Sequence, residues 1–238
     1  MRNELSAPSD GALRRPEPPA RGPRRRALRP PTRVGWLVTT LLSVLAVAYA
    51  ARYLTLDPAV FFSRQRAVYL RHELPLAVHI SGAVVAMATG PWQFSGRLRR
   101  RRPRLHRRLG VAYLLGCLVA GIGALLLAPI AYGGPVAGLG FAALAVAWLV
   151  TGAIGLRMIL RRRVADHRRW MLRSFALTFA AVMLRLMLGV AGALHLDFRA
   201  SYQAVAWLSW LPNLILAWWF TRPRGRAHGS AHDRAHDR

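Results

Sequence analysis

The sequence predicts an all-α polytopic membrane protein, a bundle of six transmembrane helices with both termini in the cytoplasm. Three observations lead to this fold class. The apolar residues form six blocks of roughly 20 residues, the length of helix that crosses a ~30 Å hydrocarbon core. The chain is 54% hydrophobic and yet carries a formal net charge of +26. Its arginines are concentrated in alternate gaps between the apolar blocks.

The apolar blocks define a membrane domain over residues 34–221, whose core is helices 2 to 5, about residues 73–194. The first block follows a long polar leader and is nearly of full spanning length, which favours an uncleaved helix over a secretory signal. The six predicted spans are Val34–Tyr53, Glu73–Phe94, Leu109–Ile130, Val136–Leu156, Trp170–Leu194 and Ser201–Phe220.

The arginine distribution predicts the orientation in the membrane. All 35 basic residues are arginine. They cluster before helix 1, between helices 2 and 3, between helices 4 and 5, and after helix 6, whereas the alternate gaps hold few or none. By the positive-inside rule, the four clustered regions face the cytoplasm of an inner or plasma membrane.

The same charge predicts which partners the protein has. In a soluble protein it would indicate nucleic acid, but its placement beside apolar spans favours topology and attraction to anionic lipid headgroups. We therefore expect membrane lipids as partners and no nucleic acid. The polar ends of the chain, residues 1–33 and 222–238, have no apolar periodicity, and we expect both to be disordered.

An internal repeat relates two helical hairpins. His106-Arg-Arg-Leu109 precedes the third apolar block, and His167-Arg-Arg-Trp170 stands 61 residues later, before the fifth. Helices 2–3 and 4–5 would then be related by an axis along the membrane normal. The repeat brings His106 and His167 to equivalent positions on the cytoplasmic side. Alternatively, both histidines are interfacial residues that contact phosphate headgroups.

Helix 5 carries a polar stripe. On an ideal helix turning about 100° per residue, one narrow face holds His167, Ser174, Thr178 and Arg185. Arg185 is the only charge deep inside a predicted helix. Such a charge normally faces the bundle interior with a partner, although a long side chain can also extend to the outer headgroups.

Helix 2 presents small and polar residues on one side. His79, Gly82, Ala86, Gly90 and Gln93 share this face, and the small residues allow another helix, or a flat macrocycle, to approach the backbone. A histidine such as His79 often only forms a hydrogen bond between helices.

On helix 3, His106, Gly110, Tyr113 and Cys117 share a side.

No Asp or Glu lies in the middle of a predicted span. Proton-coupled transporters commonly use such a carboxylate, so its absence disfavours this class of protein.

From His79 to Arg185 the chain resembles a bacterial family of predicted membrane proteins described only as a domain of unknown function. The resemblance rests on His79-Ile-Ser-Gly82, Gly90-Pro-Trp-Gln-Phe94, His106-Arg-Arg-Leu-Gly-Val-Ala-Tyr113 and His167-Arg-Arg-Trp-Met-Leu-Arg-Ser174, together with Arg185. This resemblance implies a membrane protein and no particular activity.

The chain also has a fainter likeness to the cytochrome b561-type proteins, on His79, Gln93, Arg97, and His106 with Gly110. That family binds two b haems through paired histidines and moves electrons across the membrane. The likeness implies one haem site here, because the repeat places Gly140, and no histidine, opposite His79.

Two functions of different classes follow, with an interaction scaffold as a third. The first is a b-type haem or transmembrane redox protein that uses His106 and His167 as iron ligands. In it, Gly110 gives the ring room, Arg173 neutralises propionates, and His79 and Arg185 have supporting roles. The second is a non-redox carrier or lipid- or anion-interacting protein, with a polar cavity around Arg185. That cavity is lined by Gln93, Tyr113, Ser174 and Thr178. We expect no metal beyond a haem iron, and the sequence leaves enzymatic activity open.

Overall fold

The computed structural model describes residues 32–222, and every regular element in this range is helical. Short 3₁₀ turns join or extend ten α-helices. These are α1 (Arg33–Ala51), α2 (Arg66–Arg71), α3 (Glu73–Thr89), α4 (Gly96–Arg101), α5 (Pro103–Leu127), α6 (Pro135–Leu160), α7 (Val164–Thr178), α8 (Ala180–Ala193), α9 (Phe198–Leu208) and α10 (Leu211–Thr221). The disorder expected for the two polar ends falls almost wholly outside the described residues.

The six predicted membrane spans are confirmed. The helices long and apolar enough to cross a membrane are Arg33–Thr55, Glu73–Phe94, Pro103–Ile130, Pro135–Leu160, Val164–Ala193 and Phe198–Thr221. The third and fifth begin six residues before their apolar blocks, so the histidine-arginine motifs form helix rather than loop. Proline suits the first turn of a helix because its missing N–H has no intrahelical acceptor there, and Pro103 occupies that place in α5.

Two of the spans are interrupted. The fifth is divided at Phe179, whose carbonyl accepts hydrogen bonds from the N–H groups of both Val182 and Met183, at 3.0 and 3.2 Å. The sixth is divided at Ser209–Trp210, just before Pro212, which cannot donate to the helix ladder. As a result the two halves of the fifth span have different neighbours. α7 packs on α6 and α10, whereas α8 packs on α9 and α1.

The tightest packing joins α3 to α5. A Cβ atom on Gly82 would lie 2.5 Å from the backbone nitrogen of Ala120, and one on Gly116 would lie 2.8 Å from that of Ala86. Because only backbone and hydrogen fill these positions, the two helices approach as closely as small-residue faces permit. The small-residue face of helix 2, which is α3 in the structure, is therefore covered by α5 at Gly82 and Ala86, and this packing leaves no room there for a macrocycle.

The arginines mark one end of the bundle, which we call the arginine-rich end; it is formed by α4, the starts of α5 and α7, and the end of α6. We call the other the opposite end. The arginine bias predicts that the arginine-rich end is cytoplasmic. A fluorescent reporter that matures only in the cytoplasm, fused after Arg238, should fluoresce, and the same reporter inserted in the short loop 132–135 should stay dark. Alkaline phosphatase activity from a fusion at Arg238 would contradict this topology.

Candidate functional site

His106 and His167 occupy equivalent positions at the arginine-rich end. Each is the fourth residue of its helix, and its backbone N–H donates to the carbonyl of the residue before that helix. The acceptors are Arg102 O at 3.1 Å and Arg163 O at 2.9 Å. The two histidines also lie close enough for their charges to interact. The equivalence that the repeat predicts is thus present in the backbone.

The two imidazole rings differ in how they are held. His167 Nδ1 lies 2.8 Å from the carbonyl oxygen of Gly155 on α6. Since a carbonyl only accepts, Nδ1 carries the proton and Nε2 presents its lone pair. His106 Nδ1 is buried and has no hydrogen-bond partner among residues 32–222. The two rings differ because the hairpins differ in the helix that precedes each histidine. In the second hairpin α6 is continuous and supplies the Gly155 carbonyl, whereas in the first hairpin a 3₁₀ turn at Pro91–Phe94 stands in its place.

Gln93 adds a second unpaired polar atom to this end of the bundle. Its amide Nε2 is buried without a partner in the described part of the chain. Its Oε1 lies against Gly110, where an added Cβ would be 3.2 Å away. Gly110 stands one helical turn beyond His106, on the same face. Buried polar groups are almost always paired, and Gln93 and His106 each have one buried atom without a partner among the described residues at this end of the bundle.

Positive charge surrounds the two histidines. Arg99 and Arg168 are among the electrostatic neighbours of His106. Burial, together with the charges of Arg168 and Arg100, lowers the pKa of the Arg99 guanidinium. Such a concentration of like charges attracts anionic groups.

Arg173, which was predicted to neutralise haem propionates, is buried, and its side chain is directed to α10 instead. Its Nε donates to Thr221 Oγ1 at 3.0 Å, and its guanidinium lies 4.5 Å from the Trp170 ring and 5.1 Å from the Trp218 ring.

Tyr113, Ser174 and Thr178 form a closed hydrogen-bond network deep in the bundle. The Tyr113 hydroxyl lies 2.9 Å from Ser174 Oγ and 2.9 Å from Thr178 Oγ1. Trp148 Nε1 donates to Thr178 Oγ1 at 3.0 Å. The network therefore ties α5, α6 and α7 together. Sequence reasoning did not include Trp148, although an indole N–H buried in a span requires an acceptor.

Arg185 lies in a different environment from Ser174 and Thr178. Its Nη1 donates to the carbonyl of Ala181 at 2.6 Å, and its guanidinium lies 5.2 Å from the ring of Tyr49 on α1. The structure thus does not bring Arg185 into the predicted cavity with the two hydroxyls. The reason is the interruption at Phe179, after which α8 packs on α1 and α9, so that an ideal helix no longer describes the stripe.

The side chain of Arg185 folds back along its own helix. The end of α8 at Ala193 is ~12 Å away along the helix axis, but the guanidinium folds back toward Ala181, one turn closer to the middle of the span.

His79 is an electrostatic neighbour of Arg185. Its Nδ1 donates to the carbonyl of Ala120 at 2.9 Å, and its backbone packs on Gly123. His79 thus forms the hydrogen bond between helices that is ordinary for a membrane histidine.

Six apolar spans that enclose buried polar groups define an integral, multi-pass membrane protein. The chain belongs to the family described as "Predicted membrane protein (DUF2306)", whose model matches residues 76–221. The matched region runs from α3 to the end of α10 and contains His79, His106, His167 and Arg185. No curated protein and no solved structure matches the chain. The likeness to cytochrome b561-type proteins therefore gains no support from these comparisons.

Proposed function

We propose that this protein is a b-type haem-binding redox protein of the bacterial inner membrane, in which His106 and His167 would hold one haem. The observation that carries the proposal is the arrangement of these two histidines. They start two repeat-related helices at the same end of the bundle, and they lie close enough to interact electrostatically.

The ring of His167 fits the role of a haem ligand. Ligating histidines usually donate the distal ring N–H to a carbonyl or carboxylate, which fixes the tautomer and leaves the other nitrogen for the metal. The Nδ1–H donated to Gly155 O at 2.8 Å gives His167 this form. His106 has no such carbonyl, but the Gln93 amide oxygen, which faces Gly110 one turn away, is of the right type to accept from its Nδ1.

The charges at this end fit the remaining part of a haem. The two propionates are carboxylates, and guanidinium groups bind carboxylates with short, charge-assisted hydrogen bonds. Arg99 and Arg168 stand near His106, whereas Arg173 is already engaged with Thr221 and adds its charge from the α10 side. Bound haem would supply one-electron transfer, and the protein would contribute ligation, charge compensation and exclusion of water.

The visible spectrum of the detergent-purified protein tests this proposal. Protein from haem-replete cells should show a Soret band, with sharp α and β bands after reduction. His106→Ala and His167→Ala should each remove these bands, because bis-histidine ligation needs both rings. His195→Ala is the matched control, since His195 is exposed at the opposite end and should not affect the spectrum. A colourless preparation with no haem in a pyridine haemochrome assay would contradict the proposal.

A further inference from the structure

Arg185 is a half-buried cation whose surroundings in the described structure supply no counter-charge. Both ion pairs between residues 32 and 222 involve Asp166, at the arginine-rich end. The groups whose charges interact with Arg185 are three tyrosines, Tyr49, Tyr53 and Tyr69, and His79, and none of them is a carboxylate. Its Nε is buried with no hydrogen-bond partner, and its one hydrogen bond goes to the carbonyl of Ala181 in the same helix. A guanidinium carries five N–H donors, so most of its hydrogen-bonding capacity is unused.

An unpaired charge at this depth is unfavourable, and membrane proteins pair such residues or use them to bind a ligand. The neighbouring tyrosines do not supply the missing negative charge. Burial raises the pKa of the Tyr69 phenol, which therefore keeps its proton at physiological pH. Its hydroxyl donates to Gln65 Oε1. Residues 32–222 therefore offer Arg185 no anionic partner.

The surroundings of Arg185 are aromatic. Its guanidinium lies over the Tyr49 ring, which a second cation, Arg52, also contacts at 4.5 Å. Tyr53 is buried and stacks on Phe61 with ring centres 5.6 Å apart. These groups offer apolar ring surface beside a cation, a combination suited to a ligand with an anionic end and an apolar body.

The segment between α1 and α3 covers this region at the opposite end of the bundle. Phe61 and Gln65 within it are buried, although they belong to a connection rather than to a spanning helix. The Tyr53 hydroxyl accepts the backbone N–H of Phe62 at 3.2 Å, which fastens the segment to the end of the first span. The same segment brings Tyr69 of α2 close enough to Arg185 for their charges to interact.

We propose that Arg185 binds an oxyanion, a carboxylate or phosphate group on an amphiphilic molecule, beside the Tyr49 and Tyr53 rings. Arginine presents a planar fork that holds two oxygens of such a group at once, and the unpaired Nε is one of the two donors this geometry needs. The ligand carries an apolar part because the site lies ~12 Å inside the end of α8. The site is independent of the histidine pair, which lies at the arginine-rich end on other helices.

Two probes distinguish the sources of the oxyanion. Native mass spectrometry of the full-length protein, released from nanodiscs of mixed phosphatidylglycerol and phosphatidylcholine, tests an anionic phospholipid. Thermal unfolding in a non-ionic detergent, followed by tryptophan fluorescence with increasing decanoate, tests a small amphiphilic carboxylate. We expect the parent to retain phosphatidylglycerol selectively or to be stabilised by decanoate in a saturable way. Arg185→Gln should weaken that binding by about tenfold or more, the loss typical of a charge-assisted hydrogen bond.

Arg199→Gln is the matched control, because Arg199 is an exposed arginine at the same end of the bundle and should bind neither probe specifically. If Arg185→Gln does not insert into the membrane, Arg185→Lys replaces it. It keeps the charge, loses the planar fork, and should also bind more weakly than the parent. Retention of phosphatidylglycerol alone identifies a lipid ligand, and stabilisation by decanoate alone identifies a soluble amphiphile. Absence of binding by the parent, or equal binding by the parent and the Arg185 variants, would overturn the proposal.

Discussion

Replacing Gly82 with alanine is expected to destabilise the protein by about 1–3 kcal/mol, the range seen when atoms are forced into a packed core. The new Cβ would lie 2.5 Å from Ala120 N and 2.6 Å from Gly116 O. Both contacts are backbone atoms of α5, which cannot rotate aside as a side chain would. The helices must therefore separate, and packing along the whole α3–α5 contact weakens. Gly82→Leu should prevent formation of a folded bundle.

The measurement is the midpoint of thermal unfolding in a single detergent, compared with a matched glycine elsewhere. Gly189 lies within α8, and a Cβ added there would have no atom within 4 Å. Gly189→Ala should be neutral or slightly stabilising, because alanine has the higher helix propensity. Equal midpoints for Gly82→Ala and the parent would show that α3 and α5 are not packed backbone to backbone.

The number and order of the spans were predictable because a bilayer requires continuous apolar helices of a fixed length. The starts of α5 and α7 were not predictable in this way. A span defined by hydropathy includes only the apolar residues, so it leaves out the arginine-rich residues that precede them. In the structure both helices continue through His106 and His167 and begin six residues earlier. Arginine is a good helix former, so nothing in these motifs breaks the helix.

The equivalence of His106 and His167 was predictable from the repeated motif, but their different hydrogen bonding was not. His167 reaches Gly155 O because α6 is continuous to Leu160. In the first hairpin, the helix that corresponds to α6 is α3, and it is followed at Pro91 by a 3₁₀ turn instead of continuing as an α-helix. A local proline therefore changed the environment of a histidine 15 positions further along the chain.

The polar stripe on the fifth span shows the limit of an ideal-helix projection. Ser174 and Thr178 precede the irregularity at Phe179, and Arg185 follows it. The neighbours of each half are set by tertiary packing, which a helical wheel does not contain. The sequence therefore identified the residues with unusual chemistry, and the structure separated them into a closed hydroxyl network and an arginine site.

The second large effect is expected in that hydroxyl network. Thr178→Val keeps the side-chain shape but removes the oxygen that accepts from Trp148 Nε1 at 3.0 Å and lies 2.9 Å from the Tyr113 hydroxyl. Leaving a buried donor unpaired costs about 1–3 kcal/mol per group. We therefore expect Thr178→Val to lower the unfolding midpoint clearly, and Tyr113→Phe to lower it less, because that change removes a hydroxyl and leaves Trp148 paired.

A matched threonine on α6 provides the control. Thr151 is also buried, but its hydroxyl donates only to carbonyls of its own helix, Ala147 O at 2.8 Å and Trp148 O at 3.0 Å. Since those carbonyls keep their helical partners, Thr151→Val should be nearly neutral. In a double-mutant cycle, Tyr113→Phe and Thr178→Val should be non-additive by about 1 kcal/mol, because both remove the same hydrogen bond. Additive effects, or equal losses for Thr151→Val and Thr178→Val, would show that the network does not hold α5, α6 and α7 together.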